Sequence, residues 1–123
     1  MAATILFIED NDALREILAA ALEQRGYSVV HATSAHEALD VLRASAAFDL
    51  LIVDLEIPGR EDHALIAENR RHAQGIPKLY ISGFPLIDAQ ERYDFPSEAS
   101  FLAKPFGVAE FLAMVRTLVG APA

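Results

Sequence analysis

Four short apolar runs in this chain each stop at a polar or ionisable residue. Leu50-Leu51-Ile52-Val53 closes on Asp54, and Ile5-Leu6-Phe7-Ile8 runs into Glu9-Asp10. Leu79-Tyr80-Ile81 meets Ser82, and Phe101-Leu102-Ala103 meets Lys104. A short unbroken apolar run reads as a strand buried on both faces, the mark of a parallel sheet. Parallel strands bring their carboxyl ends to one edge, where open α/β sheets bind ligands. Three carboxylates, a hydroxyl and an ammonium would then share one rim, a set suited to a divalent cation and a phosphoryl group.

The segments between these runs have helical spacing. Asn11 and Asp12 offer N-caps for a helix whose inward face is Leu14, Ile17, Leu18, Ala21 and Leu22, ended by Gly26. Tyr27 to His31 is a second strand, and Ser34 caps a second helix with Ala35, Ala38, Leu39 and Leu42 inward. The central strand covers 50–54, Pro58-Gly59 breaks the chain, and a third helix is expected over 63–73. A fourth strand follows at 78–82, a short fourth helix from Ile87 to Tyr93, and a fifth strand at 100–103. The fifth helix, Gly107 to Val119, carries the clearest period: Val108, Phe111, Leu112, Val115, Leu118 and Val119 inward. Alternating strands and helices imply right-handed crossovers and helices on both faces of a parallel sheet. The expected fold is a flavodoxin-like three-layer α/β/α sandwich with five strands in order 2-1-3-4-5, a single domain over 1–123. In that order the four strands with polar ends are contiguous.

Composition excludes several classes. The chain has 123 residues, 53% hydrophobic and 23% charged, enough for one packed core. A net charge of −8 argues against direct nucleic-acid binding, which needs a basic face, and against anionic membrane surfaces. There is no cysteine, so disulfides and thiolate zinc sites are ruled out. His31, His36, His63 and His72 are scattered rather than clustered, and Arg70-Arg71-His72 is the lone basic run. The apolar run at the N-terminus is interrupted at Glu9 and reads as a strand, not a signal peptide, so a cytoplasmic location is the expectation.

The chemistry of the rim follows from its groups. Magnesium takes oxygen ligands and keeps several waters. Asp10 and Asp54 are placed to bind it directly, Glu9 through water, and a backbone carbonyl just past Asp54 adds an oxygen. Asp54 is the candidate nucleophile, becoming an aspartyl phosphate. Lys104 and the cation would stabilise charge on the transferring group, Ser82 would hydrogen-bond it, and Gly83 would leave it space. The side chain of Glu56 reads as a solvated loop acid at the mouth; the sharper reading is that it tunes phosphate lifetime by placing or excluding water.

These residues resemble a response-regulator receiver domain of two-component signalling. The motifs are Glu9-Asp10, Asp54-Leu55-Glu56-Ile57-Pro58, Ser82-Gly83 and Lys104-Pro105-Phe106, in order at the strand ends. The resemblance implies that Asp54 accepts phosphate from a histidine kinase or histidine phosphotransfer protein. It implies magnesium held by Asp10 and Asp54 with help from Glu9 and the Glu56 carbonyl, and a Lys104 contact to phosphate beside a cis bond to Pro105. Ser82 and the aromatic Phe101 would move together, changing the surface of the fourth helix, fifth strand and fifth helix. That surface would meet a downstream protein target or form a dimer. The chain departs from the family at Asp62, where Gly is usual, and at Gly59, which comes early.

Two other readings use the same residues. A pseudo-receiver would keep the fold and signal by contact alone, without phosphorylation. A haloacid-dehalogenase-type phosphatase would also use an aspartate nucleophile, magnesium and a lysine. It would look for a second Asp two residues on, where this chain has Glu56, and for a cap insertion.

Overall fold

The computed structural model describes residues 3–44, 47–56, 76–93 and 100–120. Its elements are β1 (Thr4–Ile8), α1 (Asp12–Gln24), β2 (Ser28–Ala32), α2 (Ala35–Ala44), β3 (Leu50–Asp54), β4 (Lys78–Ser82), a helix at Leu86–Tyr93, β5 (Ser100–Ala103) and a helix at Val108–Val119. The five strands form one parallel sheet in the order β2-β1-β3-β4-β5. This is the doubly wound arrangement that the run of strand ends predicts. The third helix expected over 63–73 lies outside the described residues, as do Gly59, Asp62 and the basic run 70–72.

Local signals set the helix starts. The Asn11 side chain accepts the Leu14 N–H at 3.1 Å, and Ser34 Oγ accepts the Glu37 N–H at 3.1 Å. Each cap satisfies a backbone donor that the first helical turn leaves unpaired. Gly26, just past the end of α1, has φ 97°, a left-handed conformation that glycine adopts without a Cβ clash. The second strand begins at Ser28 rather than Tyr27. The Tyr27 N–H turns back to Leu22 O, while its hydroxyl donates to Gly120 O at 2.9 Å.

Every residue of β3 is buried, so this strand has no solvent face. The side chains on its two sides belong to different cores. Leu51 and Val53 pack with Leu6, Ile8, Tyr80, and with Ala38, Leu39 and Leu42 of α2 and Ala89 of the 86–93 helix. Leu50 and Ile52 pack with Ile5, Phe7, Leu79, Ile81, and with Leu18 and Leu22 of α1 and Phe111 and Val115 of the last helix. The strand alternation thus makes three layers with one core on each side of the sheet.

Two expected inward positions point elsewhere. Ile17 is 58% exposed and Val108 41% exposed. The apolar arc of each helix is wider than the strip the sheet covers. Together with Leu14, Leu18, Lys104, Pro105 and Phe106 they line a groove of about 280 Å³.

Candidate functional site

Register brings the rim together. Ile8 pairs with Val53 across the β1–β3 ladder, so Glu9 comes level with Asp54. Asp54 pairs with Ile81, and Ser82 pairs with Ala103, which places Ser82 one step and Lys104 two steps past the level of Asp54 on the same edge. The ladder continues past the strand ends through Leu55 N–H to Ile81 O at 2.8 Å and Lys104 N–H to Ser82 O at 2.7 Å. Backbone hydrogen bonding therefore holds the loops that carry the polar groups.

The Lys104 ammonium donates to Asp54 Oδ2 at 2.8 Å and lies 3.7 Å from Glu9 Oε2. The peptide bond from Lys104 to Pro105 is cis, as the resemblance implies. Asp54 is 1% exposed, and its other oxygen accepts the Glu56 N–H at 2.9 Å. Glu9 is equally buried, whereas Asp10 is exposed. Ligand oxygens of Glu9, Asp10 and Asp54 lie within 4.8 Å of one another.

These groups perturb one another. Burial pushes the Glu9 carboxyl up to about 8, and the neighbouring Asp54 carboxylate adds to the effect. Lys104 and the Asn11 N–H, which donates to Glu9 Oε1 at 3.2 Å, act in the opposite sense without cancelling it. Burial alone would lower the Lys104 ammonium, but the hydrogen bond to Asp54 and the charges of Asp54, Glu9 and Glu56 together raise it. Glu9 Oε2 is buried and accepts no hydrogen bond among the described residues. Only a proton on Glu9, or a cation, would let Glu9 and Asp54 sit at this range at low cost. Two buried carboxylates beside an exposed one, with an orphaned oxygen, fit an oxygen-ligated divalent cation.

Ser82 is fully buried, and its Oγ accepts the Phe84 N–H at 3.0 Å. Phe101 is half-buried on β5, paired with Tyr80 and packed against the core on the α2 side. Two features escaped the sequence reading. Arg15 clamps the loop after β1, donating to Glu9 O at 2.9 Å and to Asp12 Oδ1 at 2.6 Å. The three-residue spacing of Asp12 and Arg15 on one helix face was the available signal. Glu56, for which both a solvated acid and a tuner of phosphate lifetime at the mouth were open, is half-buried, and its Oε1 accepts the Gly83 N–H. A Cβ on Gly83 would sit 3.0 Å from that oxygen, so the space beside Gly83 is partly taken by Glu56.

A family model for the response regulator receiver domain matches residues 5–116. The chain belongs to that family. The receiver domain is 36% identical to the response regulator protein FleR of Pseudomonas aeruginosa over 115 residues, which is 94% of this chain and 24% of FleR. It is 32% identical to the sensor kinase CckA of Brucella abortus over 120 residues, 95% of this chain and 12% of that kinase. The chain thus spans a minor part of both. Among solved structures, the receiver domain of the sensor histidine kinase PA1611 from Pseudomonas aeruginosa superposes with TM-score 0.85 at 22% identity, covering 98% of this chain and 99% of that one. That structure carries a magnesium ion in its active-site cleft. Receiver domains are the signalling modules of two-component response regulators. Among the described residues, no helix of this one is long and apolar enough to cross a membrane.

Proposed function

We propose that this receiver domain is a phosphorylation-dependent switch in which Asp54 accepts a phosphoryl group from a histidine kinase or a histidine phosphotransfer protein. The observation that carries the reading is the ion pair between Lys104 and Asp54 at 2.8 Å inside the cluster of Glu9, Asp10 and Asp54. An Asp54 oxygen attacks phosphorus as the bond from phosphorus to the donor imidazole breaks. The imidazole leaves with the bonding pair and takes up a proton. Lys104 moves its contact from the carboxylate to the phosphoryl oxygens, where negative charge develops. Asp10 and Asp54, with Glu9 and the Glu56 carbonyl, would hold magnesium, which would supply positive charge to the transferring group and offset the repulsion between Glu9 and Asp54. The domain catalyses its own modification and turns over no separate substrate.

The switch runs through Ser82. Its hydroxyl is engaged by the Phe84 N–H; turning it to a phosphoryl oxygen frees that donor at the entry to the 86–93 helix. Phe101 follows inward. The surface of the 86–93 helix, β5 and the 108–119 helix then changes, with Leu86 and Ile87 already exposed on it. A downstream protein, or a second copy, would bind there. The location that suits such a phosphodonor is the cytoplasm.

Incubation with acetyl phosphate and magnesium, followed by intact mass, tests the reading. A phosphate adduct on the wild type that is absent from Asp54→Asn is expected. No adduct, and no binding of magnesium or beryllofluoride, would leave a module that works by contact alone.

A further inference from the structure

Glu56 makes two contacts that put it in the path of an incoming phosphoryl group. Its N–H donates to Asp54 Oδ1 at 2.9 Å, which fixes its backbone directly over the proposed acceptor. Its side chain then spans the mouth to the next loop, where Oε1 accepts the Gly83 N–H. Gly83 follows Ser82 on the rim, one residue past the group proposed to hydrogen-bond the phosphate. The second oxygen, Oε2, is buried and has no hydrogen-bond partner among the described residues. The Lys104 ammonium also feels the Glu56 charge. A loop acid serving only solubility would keep its oxygens in water.

From these contacts we infer that Glu56 is an internal anion that holds the Gly83 N–H in the unphosphorylated state and must release it before an external phosphoryl group can seat. A carboxylate oxygen and a phosphoryl oxygen are both strong acceptors for a backbone N–H, and one donor of this kind cannot serve both well. The Gly83 donor and the attraction of Lys104 would both pass from Glu56 to the incoming group. Glu56 is thus a residue that competes with the ligand, not one that reacts with it. Gly83 suits the arrangement because a side chain there would press on Oε1 at 3.0 Å.

The inference rests on Asp54 being the phosphoacceptor, and its test separates the two claims. Beryllofluoride binding in saturating magnesium is measured by calorimetry for the wild type, Glu56→Gln and Glu56→Ala. The amide resonance of Gly83 is followed in the same samples. Glu56→Gln keeps the shape and removes the charge, so it remains informative should the alanine variant fold poorly. Binding is expected to tighten roughly tenfold in Glu56→Ala and by less in Glu56→Gln, the effect of one charge-assisted competitor. In the unliganded wild type the Gly83 amide should lie downfield of its position in Glu56→Ala, and the three proteins should converge once beryllofluoride is bound. Equal or weaker binding in both variants overturns the competition and leaves the acceptor role of Asp54 standing. Absence of binding in all three proteins overturns the acceptor role, and the inference with it.

Discussion

The strands β1 and β3 carry an acid at both ends of their shared ladder, and the two ends treat it differently. At the amino end, Asp49 Oδ2 accepts the Thr4 N–H at 2.8 Å while the Asp49 N–H donates to Thr4 O at 2.7 Å. That acid closes the sheet and remains exposed to water. At the carboxyl end, Glu9 and Asp54 are buried side by side, with an oxygen of Glu9 that accepts nothing among the described residues. Both ends have backbone donors, the Thr4 N–H to Asp49 and the Asn11 and Glu56 N–H groups to Glu9 and Asp54, but only Asp49 also has water around it. The acids at the rim are packed against each other out of water, at a cost in stability that raises the Glu9 carboxyl.

Neutralising Glu9 should therefore do the reverse of what losing a partnered acid does. Above about pH 8 and without metal, Glu9→Gln should stabilise the protein by about 2 kcal/mol in chemical denaturation, because a buried charge beside Asp54 is removed. The pH dependence has a definite sign. The folded state holds the Glu9 proton up to about 8, whereas the unfolded chain releases it near the ordinary value of 4.5. Between those values the folded state binds more protons, so this group's contribution is intact below the lower value and is lost as pH rises through the upper one. The midpoint of thermal unfolding of the metal-free protein should fall across that window. Magnesium should flatten the fall, and a slope unchanged by magnesium would separate Glu9 from the cation.

Next in size is the exposed acid of the cluster. Asp10→Asn should weaken magnesium binding by about tenfold or more, equivalent to ~1.4 kcal/mol, with little change in metal-free stability. Calorimetric titration measures the first and denaturation the second. At the opposite end, Asp49→Ala should cost about 1 kcal/mol of stability, the worth of one exposed charge-assisted bond, and leave magnesium affinity as it was. A change in affinity there would mean that the two ends of the ladder are coupled. The smallest effect is expected at Ile17→Ser, within ~0.5 kcal/mol, because that side chain is already largely in water.

The rim was legible in the sequence because each of its groups follows directly on an apolar run. Glu9, Asp54, Ser82 and Lys104 needed only the assumption of parallel strands to be brought together. The caps Asn11 and Ser34 were legible because they depend on chain-local pattern, and the strand order because alternating strands and helices imply a doubly wound sheet. Ile17 and Val108 were misplaced because periodicity gives the apolar arc of a helix but not how much of it a neighbour covers. The contact between Glu56 and Gly83 was not legible because the two lie 27 residues apart in different loops. No local pattern reports a contact between two loops. The strand begun at Tyr27 was early by one residue because aromatic character suits a strand and a hydroxyl anchor alike.

The sheet also acts as a partition. Among the described residues, the buried side chains above and below it form two sets, joined by the backbone of the strands rather than by side-chain packing. A cavity opened beneath Phe111 would leave the neighbours of Leu42 in place, so the free-energy effects of truncating both should sum.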